Sequence, residues 1–175
     1  VNLSASRTYY FFNGSWRQAG QGSAVKNDDV VLADMFLWVR QNSTASTTLN
    51  TCGSLVPGKW KMPLHRQGSG GQDNFVALPR LGAVSLGESG LVESGAFQPS
   101  ASAGTRLDEL LVFDNTVAEQ NKSASATYYY WNGAWHKVGA GSTVMDAEQV
   151  FKPGSGCILR LGAGTPVVWT NNSVP

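Results

Sequence analysis

The sequence predicts an all-β protein with an internally duplicated, sandwich-like architecture. Three observations carry that prediction. Residues 2–25 return at 121–144 with a constant offset of 119, and 14 of the 24 positions are identical, which marks an internal repeat. Each copy holds an Asn-Gly pair, Asn13-Gly14 and Asn132-Gly133, between two aromatic runs. Asn-Gly supplies the positive φ that both central positions of a type I′ hairpin turn require. No stretch sustains an apolar period of 3.6 residues, and Ser, Thr, Asn and Gly are abundant where Lys and Glu are scarce.

Taken in order, Tyr9–Phe12 and Ser15–Gln18 form the first hairpin. A two-residue turn sets Phe12 opposite Ser15, Phe11 opposite Trp16 and Tyr10 opposite Arg17. Side chains alternate between faces, so Tyr9, Phe11 and Trp16 share one side and Tyr10, Phe12, Ser15 and Arg17 the other. In the second copy the sides are Tyr128, Tyr130, Trp135 and Tyr129, Trp131, Ala134, His136. The first set is assigned to the core, because Arg17 and His136 favour water. Gly20-Gln-Gly22 and Gly139-Ala-Gly141 turn the chain after each hairpin. Strands follow at Met35–Arg40 and Gly156–Leu161, the latter entered through Pro153-Gly154. Pro166–Thr170 closes the second copy, and Ser46–Thr51 is its counterpart in the first. Between the copies Trp60–Leu64, Asn74–Leu78, Val84–Leu86 and Leu110–Phe113 read as strands, Pro99–Thr105 as a loop and Arg106–Leu111 as a short helical turn.

One period of 119 residues makes 57–175 a complete unit and 1–56 the second half of another. The half unit lacks the strands that 57–119 supply to the second copy, and unpaired edges are sticky. Three arrangements answer this: further residues upstream, strands lent by a neighbouring molecule, or a segment 57–119 that serves both hairpins in one continuous two-layer sandwich. The chain begins at Val1 without a leader and is read as a processed form or a fragment.

Composition bounds the function. Hydrophobic content of 42% supports a packed core, and a charge content of only 14% with net charge +1 excludes the profile of a disordered chain. Basic residues are scattered singly, so no nucleic-acid partner is expected. No apolar run approaches the length of a membrane span. The two cysteines, Cys52 and Cys157, allow one disulfide. Alignment of the copies sets Cys157 against Leu37, which suits a buried, inert thiol, and a Cys52–Cys157 bridge is the alternative.

The order of three segments, Asp108-Glu-Leu-Leu-Val-Phe-Asp-Asn115, the 121–135 hairpin and Lys152-Pro-Gly-Ser-Gly-Cys-Ile-Leu-Arg160, resembles an uncharacterised family of secreted bacterial proteins. That family is frequent in Verrucomicrobia and relatives and often carries a C-terminal sorting tail. The likeness spans 60–175, with Trp60-Lys-Met-Pro-Leu-His-Arg66 in the same style. It implies an exported, β-rich protein and supplies no catalytic residue. The family's N-terminal portion and sorting tail have no counterpart here.

Catalytic patterns are sparse. His65 and His136 have no zinc-hydrolase spacing, and Gly87-Glu-Ser-Gly90 is not a nucleophile elbow. Where the second copy has His136 the first has Arg17, which suits a surface role better than catalysis. The pairs Asp28/Asp29, Asp108/Glu109 and Asp146/Glu148 read as solvated loop charge, although paired carboxylates also serve glycoside hydrolysis. Asp108, Asp114 and Asn115 are candidate calcium oxygens without an EF-hand pattern. Gly68-Ser-Gly-Gly71 reads as a flexible turn. Neither an enzyme, nor a cofactor, nor a metal site is expected.

The outward strip Tyr10, Phe12, Arg17, Tyr129, Trp131 and His136 is the candidate ligand or assembly surface, unless other elements cover it and both hairpin faces are core. Flat aromatic rings on a sheet stack on sugars, and Tyr, Trp and Arg are favoured at interface hot spots. The expectation is a secreted or cell-surface structural or adhesive protein that self-associates, a subunit of an extracellular filament, sheath or matrix. A carbohydrate-binding module that recognises polysaccharide is the alternative.

Overall fold

The computed structural model describes residues 5–32, 35–42, 48, 58–116 and 123–172. It is all-β, with several sheets and no helix among the described residues. The strands are β1 (Tyr9–Phe12), β2 (Ser15–Gln18), β3 (Trp60–Leu64), β4 (Gln72–Ala77), β5 (Val84–Ser85), β6 (Glu109–Val112), β7 (Ala126–Trp131), β8 (Ala134–Lys137), β9 (Gln149–Phe151), β10 (Gly156–Leu161) and β11 (Val167–Asn171). The chain divides into two compact units, Val1–Leu32 and Ala33–Pro175. The segment around Phe36 belongs to the second unit. The Phe36 ring lies 5.1 Å from that of Phe75 on β4.

In the first unit β1 and β2 form a two-stranded sheet. Phe12 faces Ser15, Phe11 faces Trp16 and Tyr10 faces Arg17. Asn13 (φ 47°) and Gly14 (φ 75°) make the turn, as a two-residue hairpin demands. The chain then doubles back: Lys26 N donates to Trp16 O (2.8 Å), Trp16 N to Asn27 Oδ1 (2.8 Å) and the Tyr9 hydroxyl to Asp29 Oδ2 (2.7 Å).

The second unit holds a five-stranded antiparallel sheet ordered β4-β10-β6-β7-β8, with two-stranded sheets β3–β11 and β5–β9. Alternation along β10 turns Cys157, Leu159 and Leu161 into the core. They join Leu64, Leu86, Leu91, Phe97, Leu110 and Trp169, all essentially inaccessible to water. Each such side chain contributes about 1.5–3 kcal/mol by leaving water. The Asn132-Gly133 turn has φ values of 51° and 82°, and a Cβ on Gly133 would meet nothing within 4 Å. Gly133→Val therefore tests backbone conformation alone. It is expected to destabilise the second unit by roughly 1–2 kcal/mol, read from the urea midpoint.

Strands appear at Trp60–Leu64 and Gly156–Leu161 with the boundaries expected from sequence, and the boundaries of four others shift by one or two residues. Two expectations need correction. Residues 35–40 form no strand, and Leu37, Trp38 and Val39 are exposed. The segment aligned with them, β10, is flanked by β4 and β6, and a strand without such neighbours leaves its N–H and C=O groups unpaired. Residues 106–111 make no helical turn, because β6 begins at Glu109 and pairs with β10 and β7. Strand β9 adds an element that the sequence pattern does not mark. The Ser46–Thr51 strand falls, apart from residue 48, outside the described residues.

Candidate functional site: two aromatic hairpins

The hairpins share most of their local hydrogen bonding position by position. Ala19 N donates to Thr8 O and Val138 N to Thr127 O (2.9 Å in both). Trp135 N bonds Asp146 Oδ1 (2.8 Å) as Trp16 N bonds Asn27. The Tyr128 hydroxyl donates to Glu148 Oε1 (2.5 Å) as that of Tyr9 does to Asp29. Isolated bridges join Arg17 to Val25 and His136 to Val144. Arg17 donates through Nη1 to Ser23 O, while His136 Nδ1 lies 3.1 Å from Thr143 O. A carbonyl only accepts, so Nδ1 of His136 carries the proton. Arginine and histidine thus do one job here: each ties a strand to the glycine-rich turn next in the chain.

Their surroundings differ. Trp16 is 47% exposed and Trp135 2%; Tyr10 is 44% exposed and Tyr129 3%. Val31 and Leu32 are also exposed, while Val150 and Phe151 at the matching positions are buried. In the second unit the Phe97 ring packs 4.7 Å from Trp135, Ser100 N donates to Tyr130 O (2.7 Å) and β6 pairs with β7. In the first unit Phe11 (62%) and Trp16, assigned from sequence to the core, lie in water as an edge-to-face pair 5.5 Å apart.

The outward strip is corrected in part. Tyr10 and Phe12 are exposed, Arg17 is half-buried, and the Arg17 guanidinium lies 6.0 Å from the Phe12 ring centroid. Tyr129 and His136 are buried. Their rings stack 5.7 Å apart at 29°, the Arg106 guanidinium lies 6.0 Å over Tyr129, and the glycine-rich turn closes on His136 through Thr143. The aversion of histidine to burial is outweighed by stacking and one satisfied ring nitrogen.

Trp131 is half-buried and borders a shallow groove of about 310 Å³ whose other walls include Arg106, Tyr129, Gly139 and Ser142. Arg106 is held by Glu109 Oε1 (2.7 Å) and Ala103 O (3.1 Å). Sequence reasoning missed Arg106, which no short motif marks.

The remaining candidates are structural. Asp108 is wholly buried and accepts from Arg66 Nη1 (3.0 Å) and Nη2 (2.5 Å), Gln98 N (2.7 Å) and Gly162 N (2.8 Å). It is neither solvated loop charge nor open to calcium. Ser89 of the Gly-Glu-Ser-Gly segment is buried, with its hydroxyl on Leu86 O (2.7 Å). His65 is exposed. No group of His, Cys, Asp and Glu able to hold a metal occurs among the described residues, nor does a helix long and apolar enough to cross a membrane.

Cys157 is a buried free thiol, and Cys52 lies outside the described residues. Burial pushes the Cys157 thiol from near 9 up to about 12. Burial, then the bond to Glu148, also raises the Tyr128 phenol. Both groups release their protons at higher pH folded than unfolded, so the stability they contribute is complete below their unfolded values and is lost above them. The urea midpoint is expected to hold steady through neutral pH and to fall above about pH 9. Cys157→Ala should flatten part of that fall, and alkylation of the native thiol at pH 8 should track unfolding.

The fold and these hairpins define an all-β protein of several small sheets with a covered and a bare aromatic hairpin. In comparison with known proteins, no family model, no curated protein and no solved structure matches the chain.

Proposed function

We propose that this chain is a secreted structural or adhesive protein that assembles through its β units into an extracellular filament, sheath or matrix. One observation carries the reading: the hairpin that is covered in Ala33–Pro175 is bare in Val1–Leu32, at matching apolar positions. Phe11, Trp16, Val31 and Leu32 would each gain about 1–2 kcal/mol on being covered, and contiguous exposed apolar side chains mark interaction surfaces. Low charge and the likeness of the motif order to an exported family support the extracellular setting. The test is light scattering and electron microscopy of the full chain over rising concentration. Defined oligomers or filaments are expected, and Phe11→Ser/Trp16→Ser should dissolve them. A chain that stays monomeric at high concentration overturns the reading.

The groove beside Trp131 favours a second reading, a module that binds polysaccharide. A half-buried indole, the Arg106 guanidinium and the Ser142 hydroxyl suit one sugar ring and its hydroxyls. A polysaccharide panel should then quench tryptophan fluorescence, and Trp131→Ala should abolish the response. No quenching across the panel removes this reading.

A further inference from the structure

The backbone of the bare hairpin has one edge with no strand against it among the described residues. In an antiparallel pair, successive residues point their N–H and C=O groups to alternate sides. Thr127 O accepts from Val138 N, so Thr127 faces β8 and Tyr128 faces β6, where Leu110 lies opposite. Thr8 O accepts from Ala19 N, so Thr8 faces β2, while Arg7, Tyr9 and Phe11 point theirs to the opposite edge. Among the described residues β1 pairs with β2 alone.

We propose that this edge of β1 accepts an antiparallel strand from a separate polypeptide, and that the strand has the chemistry of β6. The proposal rests on the assembly reading for its setting and adds the element and the register. Leu110 lies opposite Tyr128, Leu111 opposite Thr127 and Val112 opposite Ala126. Moved by the repeat offset, a β6-like strand sets its first leucine opposite Tyr9, its second opposite Thr8 and its valine opposite Arg7. Thr127 and Tyr128 recur unchanged as Thr8 and Tyr9, so the receiving surface is preserved there. Arg7 replaces Ala126 and brings to this position a cation that already bonds the Tyr9 side chain and lies near Asp29. The residue at the Asp114 position would stand diagonal to Arg7, within reach of a long side chain. Main-chain bonds supply affinity in such strand addition, and alternate side chains supply selectivity. The occupant is thus an extended segment with two or three alternating aliphatic residues and an acid beyond them.

The probe is a labelled peptide of residues 105–114 added to the full chain, read by fluorescence anisotropy and by amide exchange. Saturable binding is expected, with exchange at Arg7 and Tyr9 slowed at least about tenfold and Tyr10 unchanged. The peptide carrying Leu110→Pro should not bind, because proline removes the N–H directed at Tyr9 O. Equal binding by the proline peptide, protection of Tyr10 in place of Tyr9, tighter binding of a peptide of residues 5–12, or no binding overturns the proposal. Failure here with assembly of the full chain intact leaves the assembly reading standing. A monomeric chain that binds the peptide at Tyr9 reverses that outcome: the edge site stands and the assembly reading falls.

Discussion

Asp108→Ala is expected to lower the stability of the second unit by about 3–5 kcal/mol, one of the two largest effects of any single substitution considered. Asp108 and Arg66 have side chains with no accessible surface, so the carboxylate is the counter-charge for a guanidinium that cannot reach water. The aspartate also accepts from the backbone N–H groups of Gln98 and Gly162, and Arg66 donates to Ala96 O and Gly162 O (3.0 and 3.1 Å). One ion pair therefore fixes the end of β3, the 96–98 turn, the start of β6 and the end of β10. Alanine leaves a buried cation, the buried N–H of Gly162 and the part-buried N–H of Gln98 unmatched, a buried donor costing about 1–3 kcal/mol. Arg66→Met/Asp108→Ala removes the stranded charge and should cost clearly less than the two single changes added together, read from urea unfolding of all four chains. Additive losses would show that the pair is not coupled.

That ion pair also shows what a sequence withholds. Arg66 and Asp108 stand 42 residues apart, and no local pattern separates a buried aspartate from a solvated one. The Asn-Gly hairpins were legible because the turn residues and their aromatic neighbours decide the geometry within a few positions. Trp60–Leu64 and β10 were legible because their apolar alternation agrees with the face they bury. Residues 35–40 carry a similar apolar pattern and form no strand, since a strand is completed by its neighbours and not by its own residues.

The outward strip is exposed in one copy and covered in the other for a related reason. Alternation divides a hairpin into two sides, but whether each side meets water depends on what lies over it. Tyr129 and His136 are covered by Arg106 and the turn at 139–143, while Tyr10 and Phe12 stay exposed on a hairpin of the same local design. The Arg17/His136 exchange, read as favouring a surface role, joins two side chains that each bond a carbonyl just past the glycine-rich turn, Ser23 O and Thr143 O. Neither the repeat nor the residue types could indicate those acceptors before the turn was folded.

The contact between the 86–97 segment and β11 depends on one missing Cβ. Gly90 has φ +71°, and a Cβ there would collide with the carbonyl oxygen of Thr170 while lying 3.5 Å from Asn171 Cα. The opposing atoms are backbone in a paired strand, so they cannot swing aside. Next to it, Ser89 O accepts from Trp169 Nε1 (2.7 Å) and Asn171 Nδ2 (2.9 Å), two side chains without exposed surface. Gly90→Ala adds a left-handed backbone penalty of about 1–2 kcal/mol to an overpacking penalty of about 1–3 kcal/mol. The expected loss is roughly 2–5 kcal/mol by urea unfolding. Gly95 has the same φ, +71°, with nothing within 4 Å of its virtual Cβ, so Gly95→Ala should show the backbone penalty alone. Subtracting the second loss from the first isolates the close approach of the loop to β11. A Gly90→Ala protein no less stable than Gly95→Ala would mean that the segment does not lie against Thr170. The bonds from Trp169 and Asn171 to Ser89 would then have to be reassigned.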